Sequence, residues 1–173
     1  MVRFISIFLF TLVASAGYAT SVSAQEPKLL QSYNEYWQAY EGSNGGQKYC
    51  FAATIPTDSK TNPKNFKRDD TYFFITREPS SNVYNELNII LGYEADARSF
   101  VIVQIGSDKY DFVTKGDAAW AKQPNLENDI VNNIKRGLDM IVTGTAADGT
   151  VIVDNYTLKG ATATINHITR ECP

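Results

Sequence analysis

Few side chains in this 173-residue sequence are of types that do chemistry, and they are sparsely spaced. His167 is the single histidine, so the chain has little from which to build a histidine-based triad or a multi-histidine metal site. Its neighbours Asn166 and Thr169 make no ligand pattern, and it reads as a surface or half-buried helix residue. No G-x-S-x-G elbow, phosphate-binding G-x-x-x-x-G-K-[ST], G-x-G-x-x-G or H-E-x-x-H is present. Asp69-Asp70 lacks the alternate spacing that aims oxygens at one Ca²⁺. No catalytic residue, metal or cofactor is therefore expected. Two carboxylates brought together from distant strands would still suit glycoside cleavage, which keeps an envelope hydrolase as an alternative.

Two further groups stand out. Lys60, Lys64, Lys67 and Arg68 fall in the polar stretch 56–70 and form a candidate recognition loop for an acidic partner, against the plainer reading of a solvated loop. Cys50 and Cys172 are the only cysteines, which leaves one intramolecular pairing. In an oxidising compartment a Cys50–Cys172 bond is favoured over two buried free thiols, and without C-x-x-C spacing it reads as structural. Trp37 and Trp120 read as core plugs, because large aromatic rings dominate core burial. Asn155-Tyr156-Thr157 matches a glycosylation sequon but falls inside an expected strand.

The compartment is suggested by the first residues. Arg3 precedes an apolar run from Phe4 to Val13, small residues follow, and Val22-Ser23-Ala24 suits a signal peptidase. Residues 1–24 are expected to be a signal peptide cleaved near Ala24, leaving 25–173 as one domain in the periplasm or secreted. The apolar run is short of the ~20 residues that span a bilayer. The whole sequence has an ordinary globular composition, 43% hydrophobic and 20% charged with a net charge of −3, and loss of Arg3 with the first 24 residues makes the remainder −4. That balance argues against a nucleic-acid partner, which calls for a basic excess. Of the 21 aromatic residues, 17 follow Ala24, and they read as core rather than as a binding surface.

Short apolar runs separated by turn residues predict a mainly β domain: a single antiparallel sandwich or barrel-like fold with one or two short helices. Strands are expected at 36–40, 48–55, 71–77, 86–93, 99–105, 109–114, 138–145 and 150–158. Residues 29–40 also fit a helical stripe through Leu29, Leu30, Tyr33, Trp37 and Tyr40. Asp148-Gly149 signals a hairpin. Leu126, Ile130 and Ile134 predict a helix with Asn125 as its cap and Gly137 as a left-handed stop. Ala161, Ile165, Ile168 and Cys172 share one helical face.

The ordered set of segments resembles the invasion-associated locus B family of exported bacterial proteins. The likeness is carried by E-Y-W-Q-A-Y around Trp37, K-Y-C-F-A-A around Cys50, and Y-F-F-I-T-R-E-P at 72–79. It continues through L-G-Y at 91–93, G-D-A-A-W at 116–120, K-R-G at 135–137, and D-N-Y-T-L-K-G at 154–160 before the terminal Cys172. The early cysteine common in that family is absent, T-A-A-D-G stands at 145–149, and Ala161 replaces an aromatic. The resemblance implies a β-rich, non-enzymatic envelope protein, associated in some members with host-cell entry, and it supplies no catalytic residues. The expected function is an exported accessory or binding protein whose partner is a protein or envelope component. The alternatives are a carboxylate hydrolase and a small-ligand carrier.

Overall fold

Side chains alternate between two faces along every strand, and that period of two organises the molecule. The structure is a computed structural model describing residues 26–173; the expected signal peptide lies outside the described residues. In chain order the strands are β1 (Lys28–Tyr33), β2 (Trp37–Asn44), β3 (Gln47–Thr54), β4 (Asp58–Asn62), β5 (Tyr72–Glu78) and β6 (Val83–Ile90). Then come β7 (Val101–Ile105), β8 (Asp108–Lys115), β9 (Ala118–Ala121), helix α1 (Glu127–Arg136), β10 (Asp139–Thr145), β11 (Val151–Thr157) and helix α2 (Ala161–Glu171). All strand pairs are antiparallel, in the spatial order β1-β2-β3-β5-β6-β9-β8-β7-β10-β11-β4. The mainly β, antiparallel, barrel-like expectation with two short helices is met by this single sheet.

The sheet curls around one interior. Phe73 of β5 meets Phe112 of β8, with ring centroids 6.5 Å apart, and Tyr156 of β11 at 6.3 Å. These strands are distant in the sheet order, so only a curled sheet brings them together. Trp37 Nε1 donates to the Thr157 carbonyl at 2.9 Å and ties β2 to the far end of β11. The backbone ladder does not close, since β1 and β4 are its two ends. Helix α2 packs against β1, β2, β3 and β5, and its Ala161, Ile165 and Ile168 are buried in the shared core. Cys50 and Cys172 form the expected disulfide, with Cα atoms 5.9 Å apart, and so fasten the end of α2 to β3.

Several local expectations give way. The stretch 56–70 is not all loop: β4 pairs with β11 from Val151↔Asn62 to Asn155↔Asp58. Its sequence D-S-K-T-N has no apolar alternation because it is an exposed edge strand held by backbone hydrogen bonds. Residues 29–40 are a hairpin rather than a helix. Asn34 and Glu35 take left-handed conformations, φ 52° and 65°, that turn β1 into β2. Asn125 does not cap α1, which begins after a tight turn at Pro124–Leu126 without a side-chain cap bond. Gly137 is extended, φ −73°, rather than left-handed; a Cβ there would collide with Leu158 and Ile105. Trp37 is fully buried as expected, but Trp120 is only half-buried, opposite Asn88 and Val113.

Arg68, expected in a recognition loop, turns inward instead. Its two terminal nitrogens donate to both oxygens of Asp154, at 2.7 and 2.6 Å, and one also donates to Ser59 Oγ at 2.7 Å. Asp154 lies on the inner face of β11 between Ile152 and Tyr156 and is 2% exposed. The pair therefore clips the loop after β4 onto the interior of the sheet.

Two stability predictions follow from these ties. Thiol alkylation without reductant should label neither cysteine, and reduction should cost about 4–5 kcal/mol in urea unfolding, as expected for closing a loop this long. Arg68→Ala should cost about 3–5 kcal/mol because it strands a buried carboxylate. Lys64→Ala and Lys67→Ala, at exposed positions, should stay within about 0.5 kcal/mol of the parent in the same assay.

Candidate functional site

The strongest candidate lies on the outer face of β2, β3 and β5. Outward positions on a half-solvated sheet normally carry polar residues. Here Tyr40, Phe51, Tyr72 and Phe74 occupy them, each half-buried. Register explains the shape. Tyr40 stands opposite Phe51, while Ala53 sits between Gln38 and Phe74. A small residue among rings leaves a trough floored by Ala53, of about 540 Å³, with Tyr36 and Ile55 on its rim. Tyr36 and Ile55 are exposed large apolar side chains.

The rings brace one another. Tyr40 and Phe51 stack with centroids 4.9 Å apart and planes 9° apart, and Tyr72 stacks on Phe74 at 5.7 Å. Phe74 meets Phe51 edge-to-face at 5.7 Å. Each stacked ring therefore has one face covered by its neighbour and presents its edge and its other side. The Tyr40 hydroxyl donates to Gln38 Oε1 at 2.7 Å, which fixes the amide beside the floor.

The trough continues past Ile55 and Tyr72 into a second depression of about 440 Å³, lined also by Pro56, Arg68, Asp69, Asp70 and Thr71. The loop here is pinned by the Arg68–Asp154 clip and by the Asp69 amide, which donates to the Gly92 carbonyl at 2.8 Å. Glu35, Asp69 and Asp70 take part in no ion pair among the described residues. The trough thus has an apolar half and an acidic end, and its one guanidinium is already held by Asp154.

The residues singled out from sequence fare differently. Cys50 and Cys172 meet in the disulfide. Lys60 is exposed on β4 opposite Val153, Lys64 and Lys67 are exposed in the following loop, and Arg68 points away from them, so the four cations form no single cluster. His167 accepts or shares a hydrogen bond between Nδ1 and the Tyr33 hydroxyl at 2.8 Å, which docks α2 on β1. Asn155-Tyr156-Thr157 falls within β11. Of the 17 aromatic residues after Ala24, only Trp37, Phe73, Tyr93, Phe112 and Tyr156 are buried. The reading of the aromatics as core rather than surface is therefore corrected. Tyr72-Phe73-Phe74 held the missed signal, because consecutive residues of a strand cannot all face inward.

Two interior groups are less suited to binding. Tyr93 and Tyr156 flank the Arg68–Asp154 pair; burial, reinforced by Asp154, pushes both phenols up, so both stay neutral. Gly144 makes room for Tyr93, since a Cβ there would strike its hydroxyl. Glu127, at the start of α1, has its carboxyl raised by burial while accepting from the Leu87 amide at 3.1 Å. It lines neither the trough nor the depression beside it, whereas the hydrolase alternative asks for two raised carboxylates in one concavity. A carrier asks for a hollow interior, and this one is filled by Trp37, Phe73, Phe112, Met140 and Tyr156.

No protein-family model matches the sequence, and no curated protein matches it. Among solved structures the chain is similar to invasion associated protein B from Bartonella henselae. The TM-score is 0.58 at 14% sequence identity, over 82% of this chain and 95% of that one. That similarity is one of fold.

Proposed function

We propose that this is an exported, non-catalytic accessory or binding protein of the bacterial envelope that holds a protein or envelope component in its outer aromatic trough. The observation that carries this reading is the aromatic row on the solvent side of three adjacent strands, where folding alone favours polar residues. Three other features support it. Residues 1–24 have the pattern of an export signal. The disulfide suits an oxidising compartment. The fold is shared with a protein whose name ties it to invasion. A part in host-cell association or envelope integrity is the finer form of the proposal.

A photo-crosslinking side chain placed at Tyr36 or Ile55 in intact cells should capture a discrete partner, and the same probe at Leu138, 82% exposed and away from the trough, should not. Equal capture at all three positions, or none at the trough, would count against the reading. So would a gene deletion that leaves envelope integrity and host-cell association unchanged.

A further inference from the structure

We infer that the trough takes an extended, proline-rich peptide segment carrying Lys or Arg at one end. This rests on the proposed function and names the chemistry of its partner. Three observations point the same way. The first is shape. Aromatic ridges flank a floor set by Ala53, the kind of surface into which the rings of a polyproline II helix fit. Such a helix is already extended and has little conformational freedom to lose on docking.

The second is ring orientation. Tyr40 and Phe51 turn their faces against each other, as do Tyr72 and Phe74. Stacking covers one face of each of these rings, which leaves a sugar less open ring face to lie on. Proline packs between ring edges and ridges, which remain open.

The third is charge. Among the lining residues of the apolar half there is one acid, Glu35, and no base. At the other end Asp69 and Asp70 stand on a loop fixed by Arg68 and Gly92, and Asp154 already holds the only cation lining that depression. A basic residue beyond the prolines therefore meets unpaired carboxylates, whereas an acidic ligand or an anionic headgroup would meet repulsion. Tyr72 connects the two halves: its ring belongs to the aromatic ladder and its hydroxyl points toward Asp70 at 3.5 Å.

The test uses residues 25–173 in the oxidised state and three fluorescent probes read by anisotropy. One is a ten-residue peptide of Pro-Pro-Ala repeats ending in two arginines, one has glutamates in place of the arginines, and one is a neutral hexasaccharide. Saturable binding of the arginine peptide is expected, with the glutamate peptide and the sugar much weaker. Asp69→Asn with Asp70→Asn should weaken the arginine peptide about tenfold and flatten its salt dependence, as for a charge at the rim of a contact. Tyr36→Ser and Ile55→Ser, at exposed positions where the fold should tolerate change, should weaken both peptides together. Preference for the sugar, equal binding of both peptides, or a self-dimer sealed through Tyr36 would overturn the inference. Trough-specific crosslinking in cells with no binding of the arginine peptide would overturn it while leaving the proposed function standing; loss of both would remove both.

Discussion

The placement of α2 is the constraint on which the rest of the structure depends. An antiparallel sheet that curls without closing leaves a gap between its first and last strands, and apolar side chains at that gap need a cover. Helix α2, which follows β11 in the chain and packs on β1, β2, β3 and β5, adds Ala161, Ile165 and Ile168 to the core at the β1 end. The Cys50–Cys172 bond holds the end of that helix on β3. Arg77, buried on the inner face of β5, donates from Nε to the Cys172 carbonyl at 2.9 Å and from Nη1 to the Tyr84 carbonyl at 2.7 Å. A covalent bond and a charged donor thus converge on one residue. Little more than a turn earlier in the helix, Tyr33 and His167 join it to β1. With the helix fixed, the Trp37 indole can reach β11, and the two ends of the sheet share one core.

Once the interior is sealed in this way, the two faces of each strand are free to serve different ends. Inward positions on β5 are Phe73, Ile75 and Arg77; outward ones are Tyr72, Phe74 and Thr76. The inner set is committed to packing against Phe112 and Tyr156. The outer set packs sideways onto β3 and β2, which makes a firm surface without using up its exposure. Stacked and edge-to-face pairs of this kind add roughly 0.5–1.5 kcal/mol each beyond the area they bury, so the ladder is rigid before any partner arrives. Pre-ordering of that sort lowers the entropy lost on binding.

Much of the fold was legible because it follows from periodicity. T-Y-F-F-I-T-R carries the aromatic and β-branched residues that strands favour, Asp148-Gly149 turns β10 into β11, and the stripe of Ala161, Ile165, Ile168 and Cys172 marks α2. The illegible parts are those fixed by tertiary partners. β4 has no apolar pattern because the free edge of β11 and the Arg68–Asp154 clip hold it. The β1–β2 turn uses Asn34 and Glu35, a pair with a much weaker turn signal than Asn-Gly or Asp-Gly. Gly137 is required for close packing by Leu158 and Ile105, although its position at a helix end suggests a cap. The candidate site was harder still. Composition counts aromatic residues but does not assign them to faces, and the inward turn of Arg68, away from Lys60, Lys64 and Lys67, was hidden because Asp154 is remote from it in sequence.

The fold shared with invasion associated protein B at 14% identity bears on where specificity can reside. A curled sheet of this kind demands apolar residues at inward positions, a helix packed on one end and turns of workable geometry, and many sequences meet those demands. Outward positions are under no such demand. What this chain recognises must therefore be argued from its own outer residues. Tyr40, Phe51, Tyr72 and Phe74 are unnecessary to a period-two core, yet they cluster on adjacent strands instead of scattering. The clustering, next to carboxylates held on a pinned loop, sets this face apart from the scattered apolar exposure of ordinary proteins.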